Sequence, residues 1–344
     1  MQEFSDDNPI SCAKFSQIRF ELFVAAERSI KVWDARTGKP IRVLKNVLDS
    51  DITCMELDTH HRKLIVGSHQ GEVKVFDIQS GVNTLQLDSH DPQEGEISYI
   101  GYAGDDHTII TAAWDKVIKI HMDERQEHSL PAEKGNKTRN PPNVLRGRSE
   151  CHTKDIICGD FAIHLDLIAT GGRDNTAKIW DYERVMLVEE IKAHKSEVTL
   201  VRFIKPFPLL ITTDIYGQLY IWLTKPHGLA GKCIVNWRNN FTLKKNSPIT
   251  AIDTYYNAAT GEFLLLIGDE MGQVRIQDIS AILRLKTIEI LPVNTSLIKR
   301  NPYREVNIHQ AKQHSKKHLQ EGHLSESDDE SKTVPSDVNE SEIV

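Results

Sequence analysis

Short apolar runs alternate with polar turns along this chain, and the alternation repeats. Residues 167–181 read LIATGGRDNTAKIWD. An apolar run reaches a turn at Gly171-Gly172-Arg173-Asp174; a second run alternates side to side from Thr176 and ends in Trp180-Asp181. A period of two on either side of turn residues predicts two short strands in a tight hairpin, the second half-buried. The pattern recurs at residues 22–34, 64–77, 108–121, 209–222 and 263–278. Six copies in one chain predict a repeat architecture.

A strand-like stretch precedes each hairpin, at 10–15, 52–57, 97–102, 156–161, 198–203 and 249–254. Another follows most of them, at 41–44, 82–87, 185–191, 233–237 and 285–290. Four short strands cannot bury both faces of their own sheet, so the units must stack side by side. The hairpins end at Trp33, Phe76, His121, Trp180, Trp222 and Gln277, and the tightest spacings are about 42 to 44 residues. That is the period of a four-stranded propeller blade.

On these residues the chain resembles the WD-repeat β-propellers over about residues 8–292. The resemblance implies an all-β fold of six recognisable four-stranded blades, any further blade coming from chain outside these repeats. It also implies a structural hydrogen-bonded set of a His before the first strand, a Thr in the second, an Asp in the turn and the Trp of the third. His152, Thr170, Asp174 and Trp180 match all four places. His90, Thr111 and Asp115 match three, with His121 where Trp is usual; in the fifth unit His194 and Trp222 match, but Tyr216 stands where Asp is expected. The first, second and sixth units carry Glu27, Gln70 and Met271 in the turn, so the set is expected to fail in four of six blades.

Composition narrows the function classes. A net charge of −7 and a pI near 6.1 give no overall basic field for nucleic acid. No apolar run approaches the ~18 residues of a membrane span, and MQEFSDDNPI lacks a signal-peptide pattern. Three of the five cysteines, Cys12, Cys54 and Cys158, share one place in the first strand, where a small buried residue fits. An odd count without CxxC points to a reducing, cytoplasmic setting.

The expected organisation is a polar segment at 1–9, a propeller at 10–292 interrupted by a polar loop at 122–142, and a tail at 293–344. The tail turns from basic to acidic and Ser-rich, a composition read as disordered, and Ser325 and Ser327 precede acidic residues as phosphorylation sites do. Residues 1–9 make a poor outer strand, so the first and last blades are expected to meet by side-chain packing alone.

No residues assemble a catalytic, cofactor or metal site. His60-His61 are adjacent, and adjacent strand residues point to opposite faces. No small-molecule substrate, nucleic acid or membrane is expected as a partner. The partners are other proteins, bound through loops on a propeller face. The residue seven before each hairpin end falls in the turn there, giving His69, Trp114, Arg173 and Glu270; Tyr216 lies in the same turn of the fifth unit. Trp and Arg are enriched at binding hot spots.

The phrases AAERSIKVWDARTGKPIRVLKN, GDEMGQVRIQD and IKAHKSEVTLVRFIKPFPLLIT resemble long WD-repeat proteins of cilia and flagella, which carry two propellers in tandem. That resemblance places this chain near the second propeller and implies a non-catalytic scaffold of the cilium or flagellum axoneme. A second resemblance, Trp33-Asp-Ala-Arg36 to a WDxR pattern, implies instead a substrate receptor of a cullin–RING ubiquitin ligase.

Overall fold

The computed structural model describes residues 8–104, 106–123, 144–224, 232–238 and 247–283. The chain divides into two compact units, Met1–Tyr255 with Phe263–Leu291, and Tyr256–Glu262 with Pro292–Val344. In the first unit every regular element but one helical turn is a short antiparallel strand, and the strands form six blades of a β-propeller.

Blade one is β1(Ile10–Ser16), β2(Glu21–Ala26), β3(Ser29–Asp34) and β4(Lys39–Leu44); blade two is β5(Ile52–Leu57), β6(Lys63–Ser68), β7(Val73–Asp77) and β8(Asn83–Gln86). Blade three is β9(Ile97–Ala103), β10(Thr108–Ala113), β11(Ile118–Met122) and β12(Val144–Arg148); blade four is β13(Ile156–Ala162), β14(Leu167–Gly172), β15(Ala177–Asp181) and β16(Met186–Ile191). Blade five is β17(Val198–Ile204), β18(Leu209–Asp214), β19(Gln218–Leu223) and β20(Lys232–Arg238). Blade six shows β21(Ile249–Asn257), β22(Glu262–Asp269) and β23(Val274–Asp278), followed by the turn α1(Ser280–Leu283). Its expected fourth strand, at 285–290, lies outside the described residues, as do the tail and residues 1–7. Strand β11 runs through Met122, the first residue of the stretch read as a loop, and β12 resumes the same blade after it.

The core lies between blades. Phe23, Ile30 and Val32 of blade one pack on Met55, Leu64 and Phe76 of blade two. Ile65, Val73 and Val75 pack on Ile100 and Ile109 of blade three. Ile110, Ile118 and Ile120 pack on Phe161, Ile168 and Trp180 of blade four. Ala169 and Ile179 pack on Val201, Phe203 and Leu210 of blade five. Alternation within each strand sends one set of side chains to the blade before and the other to the blade after. Each such large side chain contributes about 1.5–3 kcal/mol when it leaves water.

Polar links cross the same junctions. Ser16 Oγ meets His61 Nδ1 at 2.8 Å, so His61 serves a blade junction. Lys14 reaches Glu56 at 2.7 Å and Lys63 reaches Asp123 at 2.7 Å. The Thr108 and Tyr182 hydroxyls lie 2.5 Å apart, and the Phe203 N–H donates to Asp160 Oδ2 at 2.7 Å. The repeated cysteines act here too. The Cys54 thiol donates to the Ile97 carbonyl at 3.5 Å and that of Cys158 to the Val198 carbonyl at 3.6 Å, each in the next blade. Burial pushes Cys158 up to about 12 and Cys12 up to about 11.

In the second unit, residues 256–262 are a hairpin tip. Asn257 Oδ1 accepts the Ala259 N–H at 3.0 Å, and Gly261, at φ +70°, returns its N–H to the Asn257 carbonyl at 2.9 Å.

Candidate interaction face

Two sets of loops meet at one end of the blades: the turns joining second to third strands, and the segments entering each first strand. One backbone bond ties them in five blades. The N–H of His69, Trp114, Arg173, Ile215 and Glu270 donates to the carbonyl of Asp51, Glu96, Asp155, Glu197 and Pro248, at 2.9 to 3.1 Å. Those five turn residues are therefore equivalent in space as well as in sequence.

Beneath them lie buried polar sets. In blade four the Trp180 indole N–H donates to Thr170 Oγ1 at 2.8 Å; Thr170 meets His152 Nε2 at 2.8 Å, and His152 Nδ1 lies 3.0 Å from Asp174 Oδ1. The indole can only donate, so the order runs from indole to hydroxyl to imidazole Nε2, with the Nδ1–H on the carboxylate. Burial alone would raise the Asp174 carboxyl. The hydrogen bond and charge of His152, with Thr176 and the Thr153 N–H, outweigh it and hold Asp174 well below the usual carboxylate range. These groups satisfy one another, which is what buried polar atoms require.

Blade three runs the same set with a different last member. His121 Nε2 replaces the indole nitrogen 3.0 Å from Thr111, which meets His90 Nε2 at 2.9 Å, and His90 Nδ1 lies 2.8 Å from Asp115. His121 Nδ1 is buried without a hydrogen bond among the described residues, and burial lowers His121 to about 3.

Blade five corrects the sequence reading. The place given to Tyr216 is not where the carboxylate comes from: Asp214, two residues earlier, lies 3.3 Å from His194 Nδ1. His194 Nε2 meets Thr212 at 2.7 Å, and the Trp222 indole donates to Thr212 at 2.9 Å. Asp214 also accepts the N–H of Tyr216 and Gln218, and Asp269 accepts those of Met271 and Gln273 in the same way. A carboxylate at either end of the four-residue turn can organise it. The signal available in sequence was the shared Asp-x-x-Gly of 214–217 and 269–272, with glycines at φ +71° and +75°. Among the described residues three blades therefore hold the set, where the sequence left it in two. In blade two Val66 stands where Thr sits in these three, and Phe76 replaces Trp. Without the hydroxyl, an indole N–H there would lack its acceptor.

On the surface, three predicted contact residues come together across three blades. The Arg173 guanidinium lies over the Trp114 ring, 4.5 Å from its centroid, and the His69 ring meets Trp114 edge-on at 6.3 Å. Carboxylates hold the outer two: Asp155 takes Arg173 at 2.8 Å and Glu96 takes His69 at 2.6 Å. Tyr216, 57% exposed, and Glu270 sit in later turns and are not drawn into this row. On the opposite end, Asp34 accepts the Arg36 N–H and the Thr37 hydroxyl, both at 2.9 Å, and Arg36 stacks on Phe20 at 4.0 Å. The WDxR segment thus organises its own turn.

Comparison with known proteins agrees with this geometry. The family model "WD domain, G-beta repeat" matches residues 144–181, from β12 through β15. The chain is 27% identical over 120 residues to Cilia- and flagella-associated protein 337 B of Tetrahymena thermophila, covering 35% of this chain and 9% of that protein. It is 24% identical over 220 residues to the CCR4-associated factor 4 homolog of Vanderwaltozyma polyspora, covering 57% and 32%. It is 22% identical over 184 residues to human WD repeat-containing protein 3, covering 54% and 18%. The chain thus spans about a third or less of the length of these relatives. Among solved structures, a chain of the mitotic checkpoint complex superposes with a TM-score of 0.60 at 17% identity, over 79% of this chain and 74% of that one. The computationally designed Ika8 protein superposes at 0.56 and 20% identity, over 80% and 73%.

Proposed function

We propose that this WD-repeat β-propeller is a non-catalytic scaffold that binds other proteins through the face bearing His69, Trp114 and Arg173, and that it serves as an assembly component of cilia or flagella. The row of these three side chains carries the reading. Large planar groups from adjacent blades are held rigid at one surface, their polar ends fixed by Glu96 and Asp155. Rigid aromatic and Arg anchors lose little entropy on binding. The ciliary assignment is supported by the match to the Tetrahymena protein and by the phrase likeness in the sequence.

The test is comparative proximity labelling and capture from ciliated and unciliated cells, with the wild-type chain and the double variant Trp114→Ala/Arg173→Ala. Axonemal proteins should be recovered from ciliated cells and lost at least tenfold in the variant, whose circular dichroism and melting should match wild type. Equal capture by both chains refutes the face; recovery without axonemal proteins refutes the ciliary setting.

A further inference from the structure

The first strands of the blades lie side by side, β1 beside β5, β5 beside β9, β9 beside β13 and β13 beside β17. One register position in each holds Lys14, Glu56, Gly101, Asp160 and Arg202, paired with Phe23, Ile65, Ile110, Ala169 and Ile211 of the second strands. All five line one cavity of about 280 Å³. It lies toward the end of the blades opposite the His69 row, where the β5–β6 turn adds Asp58 and the β17–β18 turn adds Lys205.

Blade three supplies no side chain at Gly101. Tyr99, two residues earlier, fills the place instead. A Cβ on Gly101 would collide with its hydroxyl, and a Cβ on Gly159 of the next blade would stand 2.7 Å from its ring. Two glycines thus leave room for a phenol laid along the cavity wall.

Hydrogen-bonding capacity in this cavity is used unevenly. Every carboxylate is engaged. Glu56 accepts Lys14 Nζ at 2.7 Å and the Leu57 N–H at 3.0 Å; Asp160 Oδ2 accepts the Phe203 N–H at 2.7 Å; Asp58 Oδ1 accepts the N–H of Arg62 and Lys63 at 2.6 and 2.7 Å. Three donors are not engaged. Arg202 has an ion pair to Asp160 at 3.6 Å, too long for a hydrogen bond, so its guanidinium N–H groups meet no acceptor among the described residues. Nor do the Lys205 ammonium and the Tyr99 hydroxyl. Burial, with the charges of Asp160 and Glu56, raises the Tyr99 phenol well above its ordinary range, so it stays a donor, and Tyr99 and Arg202 each feel the other's charge.

The unmet need is therefore for an acceptor bearing negative charge. Lys14, Arg202 and Lys205 balance Glu56, Asp58 and Asp160, so a single charge suits the cavity better than a doubly charged phosphate. A lone carboxylate at a site open to water gains too little to offset its lost translational freedom, so a larger surface must carry it. Phe15 and Phe161 line the same cavity and suit the methylenes of a short stem. We propose that this cavity is a second binding site, separate from the His69 row, that takes a glutamate side chain of a partner protein, its carboxylate held by Arg202, Tyr99 and Lys205.

Two measurements on the full chain test it. Acetate titrated against chloride at constant ionic strength should shift the Arg202 Nε–H resonance, which is assigned by its loss in Arg202→Lys. A displayed library of short peptides is then selected on the wild-type chain. Peptides that bind Trp114→Ala/Arg173→Ala equally well, and so avoid the other face, should share a glutamate whose replacement by glutamine weakens binding about tenfold. Tyr99→Phe and Lys205→Gln leave every carboxylate its hydrogen bonds, so melting should hold while these peptides bind about threefold more weakly to each. Arg202→Gln should erase the preference for glutamate over glutamine. A larger shift with phosphate than with acetate would overturn the proposal. So would an acetate shift with no glutamate peptide selected, which marks a free organic acid as the ligand, or glutamate peptides indifferent to Tyr99→Phe and Lys205→Gln.

Discussion

Trp180 offers the sharpest test of how a blade is held together. Its ring is buried against blade three, its N–H ends on Thr170, and Arg148 lies 5.4 Å above it. Trp180→Ala removes the ring, the donor and the cation contact together, and a core aromatic truncation costs about 3–5 kcal/mol. Trp180→Phe keeps most of the ring. It removes one hydrogen bond, ~1 kcal/mol, and leaves Thr170 still paired with His152, so no buried group is orphaned. The Phe variant should therefore lose about 1–2 kcal/mol. At roughly 2–4 °C per kcal/mol for a domain of this size, the Ala variant should melt about 10 °C lower and the Phe variant a few degrees lower. Urea unfolding followed by far-UV circular dichroism reads both. The relay makes a further demand: Asp174→Asn and Trp180→Phe should couple by at least ~0.5 kcal/mol in a double-mutant cycle. An unchanged midpoint for Trp180→Ala would refute the packing argument, and strict additivity would refute the relay.

Two further predictions concern the neighbouring blades. Asp214→Ala should cost about 1–3 kcal/mol, because it strips a buried histidine and two turn amides of their acceptor, whereas Tyr216→Ala on the exposed turn should stay within about 0.5 kcal/mol; equal midpoints in urea would reverse the assignment. His121, lowered to about 3 by burial, takes up its proton more readily in the unfolded chain. Its contribution to stability is full above the ordinary histidine value near 6.5 and declines as pH falls from there toward 3. His121→Phe should flatten the wild-type loss of stability across that window, and parallel pH profiles would exclude the effect.

The repeat, the strand order and the equivalence of the turns were legible in the sequence because a period of two and a fixed spacing are one-dimensional signals. The full set of blade four was legible for the same reason. Asp214 was not, because hydrogen-bond geometry lets a carboxylate serve the histidine from either end of the turn, and sequence position alone does not say which. Nor could spacing show that His121 takes over the donor role of an indole. The stacking of Arg173 on Trp114 joins residues 59 positions apart through the packing of two blades, and depends on side-chain direction rather than on pattern.

The links between blades also have a mechanical meaning. Ser16 to His61, Lys63 to Asp123, Thr108 to Tyr182 and Asp160 to the Phe203 amide each cross one junction, and they follow one another from blade one to blade five. A pull applied along the row must stretch them in series, so every junction carries the same force and the weakest gives first. Between blades five and six the Phe207 ring meets Phe263, 5.4 Å between centroids, and the charge of Asp253 acts on Arg202. The load at which the row parts is therefore set by its weakest junction and not by the sum of all of them.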